Sequence, residues 1–87
     1  MHVILVYDVG VERVSRVCNY LRTYLTRIQN SVFEGDITEA RLARLKTGLL
    51  KILDTDSDSV IVWVLRDAKG ADRQTMGVER FPITNML

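Results

Sequence analysis

The spacing of apolar and polar residues changes period several times along the chain. Val3-Ile4-Leu5-Val6-Tyr7 is an unbroken β-rich apolar run closed by Asp8 and Gly10, which predicts a strand buried on both faces. Val14, Val17, Cys18, Leu21 and Leu25 then recur at helical spacing and predict an amphipathic helix over about residues 11–25. Residues 26–36 carry the β formers Ile28, Val32 and Phe33, with Asn30-Ser31 suited to a tight turn. That stretch is either a short hairpin or a sharply bent strand. Thr38 is a good N-cap, Glu39 suits a first helical turn, and Leu42, Leu45, Leu49, Ile52 and Leu53 predict a second helix over about 39–53. The polar stretch Asp54-Thr55-Asp56-Ser57-Asp58 precedes a second apolar strand, Val60 to Leu65. Residues 66–77 read as a loop or hairpin turn. The last ten residues read as a weak final strand that Pro82 would confine to an edge.

This order predicts an α+β, ferredoxin-like β-α-β-β-α-β arrangement, with two helices on one face of an antiparallel sheet. The 87 residues predict a single domain, with residues 1–66 as its core and 67–87 as a loop and C-terminal tail. A chain this short buries only roughly 60–65% of its unfolded surface, so any spare apolar face tends to find a partner. The fold alone decides no function.

Composition removes several function classes. The net charge is +1, from 12 basic and 11 acidic residues, so bulk attraction to nucleic acid or membrane is not the signal and only local clusters could be. Cys18 and His2 are the sole cysteine and histidine. That excludes an internal disulfide and a cysteine zinc site, and argues against a Ser-His-Asp triad or a two-histidine metal site within one chain. The five glycines form neither GxGxxG nor a P-loop. No apolar run approaches a membrane span and no secretory signal is evident, so a cytoplasmic protein with a reduced thiol is expected.

Asp8 follows a buried strand directly and is the candidate ligand for Mg²⁺ or Mn²⁺, since hard cations take oxygen donors. A turn or cap residue is the commoner reading of such an aspartate. One carboxylate makes a poor metal site, and two copies across a homodimer axis would make a better one. Arg13, Arg16 and Tyr20 share a stripe of the first helix, where arginines could grip phosphate and a tyrosine could stack on a base. A solvated helix face is the plainer alternative. Arg41, Arg44 and Lys51 repeat the theme on the second helix, and Arg27 lies by the hairpin. Asp54, Asp56 and Asp58 mimic a calcium loop, but Ser59 replaces its glycine and Leu65 its glutamate, so a solvated acidic turn is expected. Cys18 and Trp63 read as packing residues, and Ser31 has no histidine to activate it.

The segment Arg27-Ile28-Gln29-Asn30-Ser31-Val32-Phe33-Glu34-Gly35, with Tyr7-Asp8 before it and Asp58-Ser59-Val60 after it, resembles the signature of the CRISPR-associated protein 2 family. These are small dimeric proteins of the antiviral spacer-acquisition machinery. The resemblance covers about residues 1–66. It implies a ferredoxin-like homodimer with Asp8 and its mate facing each other to hold a divalent metal between the subunits. It also implies that Arg16, Arg27, Ser31 and Phe33 lie near the nucleic-acid surface or the dimer contact, and that Met76 to Ile83 could cross to the partner's sheet; Tyr7, beside Asp8, and Arg13, on the helix stripe, join them as nucleic-acid-binding candidates. The family often has a run of basic residues early in the first helix, where here Val14 and Ser15 separate Arg13 from Arg16.

Two functions follow from that resemblance. In one, paired Asp8 residues support metal-dependent endonuclease chemistry on single-stranded RNA or duplex DNA, with arginines holding the backbone. In the other, the dimer is a non-catalytic DNA-binding scaffold bridging the CRISPR integrase, CRISPR-associated protein 1. The sequence supports the scaffold at least as well, because no histidine or lysine base is evident beside Asp8. A spacer-acquisition subunit is the favoured reading, with intrinsic nuclease activity compatible with it. A dimeric ligand-binding regulatory domain and a related toxin that cleaves messenger RNA are the weaker alternatives.

Overall fold

The computed structural model describes residues 1–66 and 70–79. It contains strands β1 (His2–Asp8), β2 (Thr26–Gln29), β3 (Val32–Asp36), β4 (Ser59–Leu65) and β5 (Ala71–Gly77), and helices α1 (Val14–Leu21) and α2 (Glu39–Leu50). The strands form one sheet in the order β2-β3-β1-β4-β5, with every neighbouring pair antiparallel. The first four strands have the ferredoxin-like arrangement expected from the sequence, and β5 extends the sheet beyond β4.

Alternation along the strands decides what each face does. Val3, Leu5 and Tyr7 of β1, Phe33 of β3 and Val60, Val62 and Val64 of β4 are buried against Val17 and Leu21 of α1 and Leu42, Leu45 and Leu49 of α2. The register places the intervening residues in rows on the opposite face. Val32, Val6 and Ile61 make one row, Glu34, Ile4, Trp63 and Arg73 the next, and Asp8, Ser59 and Gly77 a third. Trp63 and Leu65 are therefore half-buried rather than enclosed on both sides. Neither helix packs on this second face, and no helix among the described residues is long and apolar enough to cross a membrane.

Helix α1 is shorter than its periodicity predicts. A 3₁₀ turn, Val11–Arg13, precedes it. At its end Thr23 and Tyr24 donate to carbonyls three residues back, while the Thr23 hydroxyl bonds Tyr20 O at 2.7 Å. A threonine that bonds the backbone this way competes with the helix ladder. Leu25 still bonds back to Leu21 O at 2.9 Å and reaches the core. For α2 the expected cap is present: Thr38 Oγ1 accepts from Arg41 N at 3.2 Å. Residues 26–36 are a hairpin turning at Asn30-Ser31, with the register shifting between Arg27 and Gln29.

One expectation is corrected outright. Residues 71–77 are a strand, not a loop, and Met76 pairs with Val60 of its own sheet. Of the expected crossing strand, Met76 to Ile83, residues 80–83 lie outside the described residues, Pro82 among them.

Candidate carboxylate site and nucleic-acid interface

Asp8 is the last residue of β1. It is exposed on the helix-free face, directly across from Ser59 of β4. What holds the chain there is Asp58, which is fully buried. Its carboxylate accepts from Arg13 Nε at 2.6 Å and Arg13 Nη2 at 2.8 Å. It also accepts from the backbone N–H groups of Gly10 and Asp54, both at 2.9 Å. The exit of β1 is thus tied to the entry of β4. The Arg13 guanidinium and these backbone donors hold the Asp58 carboxyl far below the usual carboxylate range, and the same pairing raises Arg13.

This arrangement corrects two expectations. Asp58 is not part of a solvated acidic turn, although Asp54 and Asp56 are exposed. Arg13 does not offer its fork to a phosphate, because the fork is engaged bidentately by Asp58 and the side chain is only 17% exposed. The signal in the sequence was Asp58's position immediately before a buried strand, matching Asp8's position immediately after one.

A cleft of about 230 Å³ runs over Asp8, Val9, Gly10, Ser57 and Asp58. Asp58, the other carboxylate in it, already accepts four N–H groups. Among the described residues no group of three or more histidine, cysteine, aspartate or glutamate side chains could hold a metal ion. Beside Asp8, the Ser59 hydroxyl is buried without a hydrogen-bond partner. A single carboxylate next to an unsatisfied hydroxyl suits a hydrated divalent ion shared between two copies. It does not suit an ion enclosed by one chain.

The second cluster lies on the helix side. Tyr7, Arg27 and Ser31 converge on a cleft of about 380 Å³ between α1 and the β2–β3 hairpin. Tyr7 N donates to Ser31 O at 3.1 Å, and the Tyr7 hydroxyl reaches Asn30 O at 3.4 Å. Burial pushes the Tyr7 phenol up. Sequence reasoning missed Ser15, Asn19 and Arg22 on the opposite wall. With Cys18 they fall at i, i+3, i+4 and i+7, a stripe that was open to reading.

Three further candidates sit elsewhere. Arg16 is on the exposed side of α1 and lines neither cleft. Phe33 is fully buried, with its ring 6.1 Å from that of Tyr7, so it is a core residue and not a nucleic-acid contact. Tyr20 does not present its ring to a base. Its hydroxyl donates to Arg44 O at 3.1 Å and Leu45 O at 3.0 Å, joining α1 to α2. On α2, the Arg41 guanidinium lies 4.9 Å over the Tyr24 ring.

The fold and these two sites define a class: small ferredoxin-like α+β proteins with one helix-free sheet face and an aspartate at the end of the first central strand. The family model described as CRISPR associated protein Cas2 matches residues 1–73, and the chain belongs to that family. It is 49% identical over 87 residues to the CRISPR-associated endoribonuclease Cas2 of Pyrococcus furiosus, covering 100% of both chains. It is 46% identical over 87 residues to the protein of that name from Methanothermobacter thermautotrophicus, covering 100% of this chain and 96% of the other. A crystal structure of a Cas2 matches with a TM-score of 0.73 at 41% identity, covering 100% of this chain and 98% of that one. The Streptococcus pyogenes Cas2 structure gives a TM-score of 0.69 at 35% identity, covering 75% of this chain and 86% of its own.

Proposed function

We propose that two copies of this chain pair through the helix-free sheet face and act on nucleic acid in CRISPR spacer acquisition, with paired Asp8 carboxylates supporting phosphodiester hydrolysis. The observation that carries this reading is Asp8 itself, exposed on that face and held at the strand end by the Asp58 tie. The relatives named endoribonucleases favour RNA as the substrate cleaved. A divalent ion such as Mg²⁺ or Mn²⁺, when bound, offsets phosphate charge and lowers the pKa of nearby water. Asp8 would hold that ion. Ser59 would donate its unused hydroxyl to the carboxylate or to water. Arg16, Arg22 and Arg27, which form no ion pair among the described residues, would hold the backbone.

A non-catalytic scaffold bridging the CRISPR integrase is the second reading. It is favoured by one observation: among the described residues that line the cleft there is no lysine or histidine, and the Asp58 carboxylate is already engaged by four N–H groups. The deciding experiment is cleavage of single-stranded RNA and of duplex DNA, with Mg²⁺, with Mn²⁺ and with chelator, by wild type and Asp8→Asn. Both proteins are first shown to be folded dimers. Cleavage that needs the ion and is lost in Asp8→Asn is expected. Nucleic-acid binding without cleavage by either protein leaves the scaffold.

A further inference from the structure

The cleft between α1 and the hairpin has the makings of a binding site separate from the cleft over Asp8. Asp8 points to the helix-free face, whereas this cleft opens on the helix side, with Tyr7 in its wall. Its volume of about 380 Å³ lies within the roughly 300–1,000 Å³ of small-ligand sites. Part of its wall is apolar, from Tyr7 and Cys18, and Asn19 and Ser31 add groups that both donate and accept. Arg22 and Arg27 add two cations. No carboxylate among the described residues lies within ion-pair distance of either. The two bonds Arg27 makes, to Asn30 O at 3.3 Å and Asn30 Oδ1 at 3.4 Å, stay within its own turn and leave its charge unneutralised. Burial raises the Tyr7 phenol, and the positive charges of Arg27 and Arg22 pull against that rise, so both guanidiniums act on the same cleft.

We infer that this cleft binds one 5′-phosphorylated nucleotide, with Arg22 and Arg27 on the phosphate and the base against the Tyr7–Cys18 wall. Bare phosphate would satisfy the arginines and leave the apolar wall and the amide unused. An apolar ring without phosphate would leave two guanidiniums unpaired. A nucleotide answers both, since arginine forks match phosphate oxygens and every base has an apolar face and a polar edge. The nucleotide could be a free mononucleotide or the 5′ end of a strand, and the two are separable by experiment.

Cys18 is the sole cysteine and lines the cleft half-buried, so its thiol reports occupancy directly. The rate at which a disulfide reagent modifies Cys18 is measured on the full chain with four probes. These are adenosine 5′-monophosphate, a short RNA with a 5′ phosphate, the same RNA with a 5′ hydroxyl, and inorganic phosphate. Saturable slowing by a 5′-phosphorylated probe is expected. Slowing by the mononucleotide assigns a free nucleotide, and slowing by the phosphorylated RNA alone assigns a strand end. Arg22→Gln and Arg27→Gln, both at exposed positions, should each raise the half-protecting concentration about tenfold or more. Absence of protection by both phosphorylated probes overturns the inference. So does equal protection by inorganic phosphate or by the 5′-hydroxyl RNA, or protection that survives both substitutions. Calorimetric titration of wild-type protein with the same probes gives an independent reading. Because neither readout is cleavage, failure of the Asp8 reaction leaves this test intact.

Discussion

Asp58 collects four N–H groups on one carboxylate, two from Arg13 and one each from the backbone of Gly10 and Asp54. Removing it strands those donors in a buried site, and breaking a buried ion pair typically costs about 3–5 kcal/mol. Asp58→Ala should therefore unfold at a clearly lower urea midpoint than wild type at pH 7. The pH dependence follows from the direction of the shift. The folded carboxyl titrates below its unfolded value of about 3.9, so its contribution is complete above that value and fades as pH falls toward the folded pKa. Wild type should lose more stability than Asp58→Ala between pH 7 and pH 3, and parallel losses would show that Asp58 is not the group responsible. The same residue marks where the sequence was hard to read. Asp8 was legible as a candidate because it ends an apolar run. Asp58 stands among three aspartates, and beyond its place immediately before β4 only the approach of Gly10 and Arg13 from a segment more than forty positions away separates it from the solvated two. Phe33 was placed near the nucleic acid by the family resemblance alone; Val32 and Phe33 are adjacent apolar residues on opposite faces, and it is Phe33 that the helices cover.

Between elements, α1 and α2 are joined by the Tyr20 hydroxyl on the carbonyls of Arg44 and Leu45. Burial, then hydrogen bonding with Tyr24, pushes the Tyr20 phenol up to about 12. The ring lies over Gly48, where an added methyl would run into the Tyr20 hydroxyl and ring carbons. Helix propensity alone says that Gly→Ala in a helix gains about 1 kcal/mol. Here the clash reverses the sign, and Gly48→Ala should melt below wild type in a thermal scan. A rise in Tm would mean that Tyr20 is not docked on α2. Tyr20→Phe, which keeps the ring and loses the two bonds, should cost about 1 kcal/mol by the same measurement. Helices and central strands were legible because their apolar spacing is their reason for existing. Of the edge strands, β2 was legible only as one of two alternatives for residues 26–36, and β5 was not legible. All four residues of β2 are exposed, and β5 reads Ala-Asp-Arg-Gln-Thr-Met-Gly with no apolar alternation. What makes β5 a strand is seven-residue register against β4, with Gly77 in positive φ at its end and Val78 N on Asp58 O at 2.8 Å. None of that is local in sequence.

For the whole molecule, the face opposite the helices combines the apolar residues Ile4, Val6, Val32, Trp63 and Leu65 with Asp8 at one end. An antiparallel sheet of this size with apolar residues on both faces is incompletely covered by helices on one of them. Pairing the face with a second copy by a two-fold axis would bury it and bring two Asp8 residues toward one ion, the stoichiometry the lone carboxylate needs. Ile4→Lys places a charge in the middle of that face, between Glu34 and Trp63 in register, and should shift the protein toward monomer in sedimentation while leaving the helix-side core intact. Mixing tests the shared ion more sharply. If wild type and Asp8→Asn subunits are exchanged at equal concentration, about one quarter of random dimers hold two Asp8 carboxylates. Cleavage that requires both should then fall to about a quarter of the all-wild-type rate at the same total protein. Chains acting alone should give about one half, because each wild-type subunit keeps its own complete site. A rate following the square of the wild-type fraction across a full mixing series supports one ion between two subunits, and a straight line rejects it. The readout compares active proteins of the same fold, so a change in stability cannot imitate the curvature.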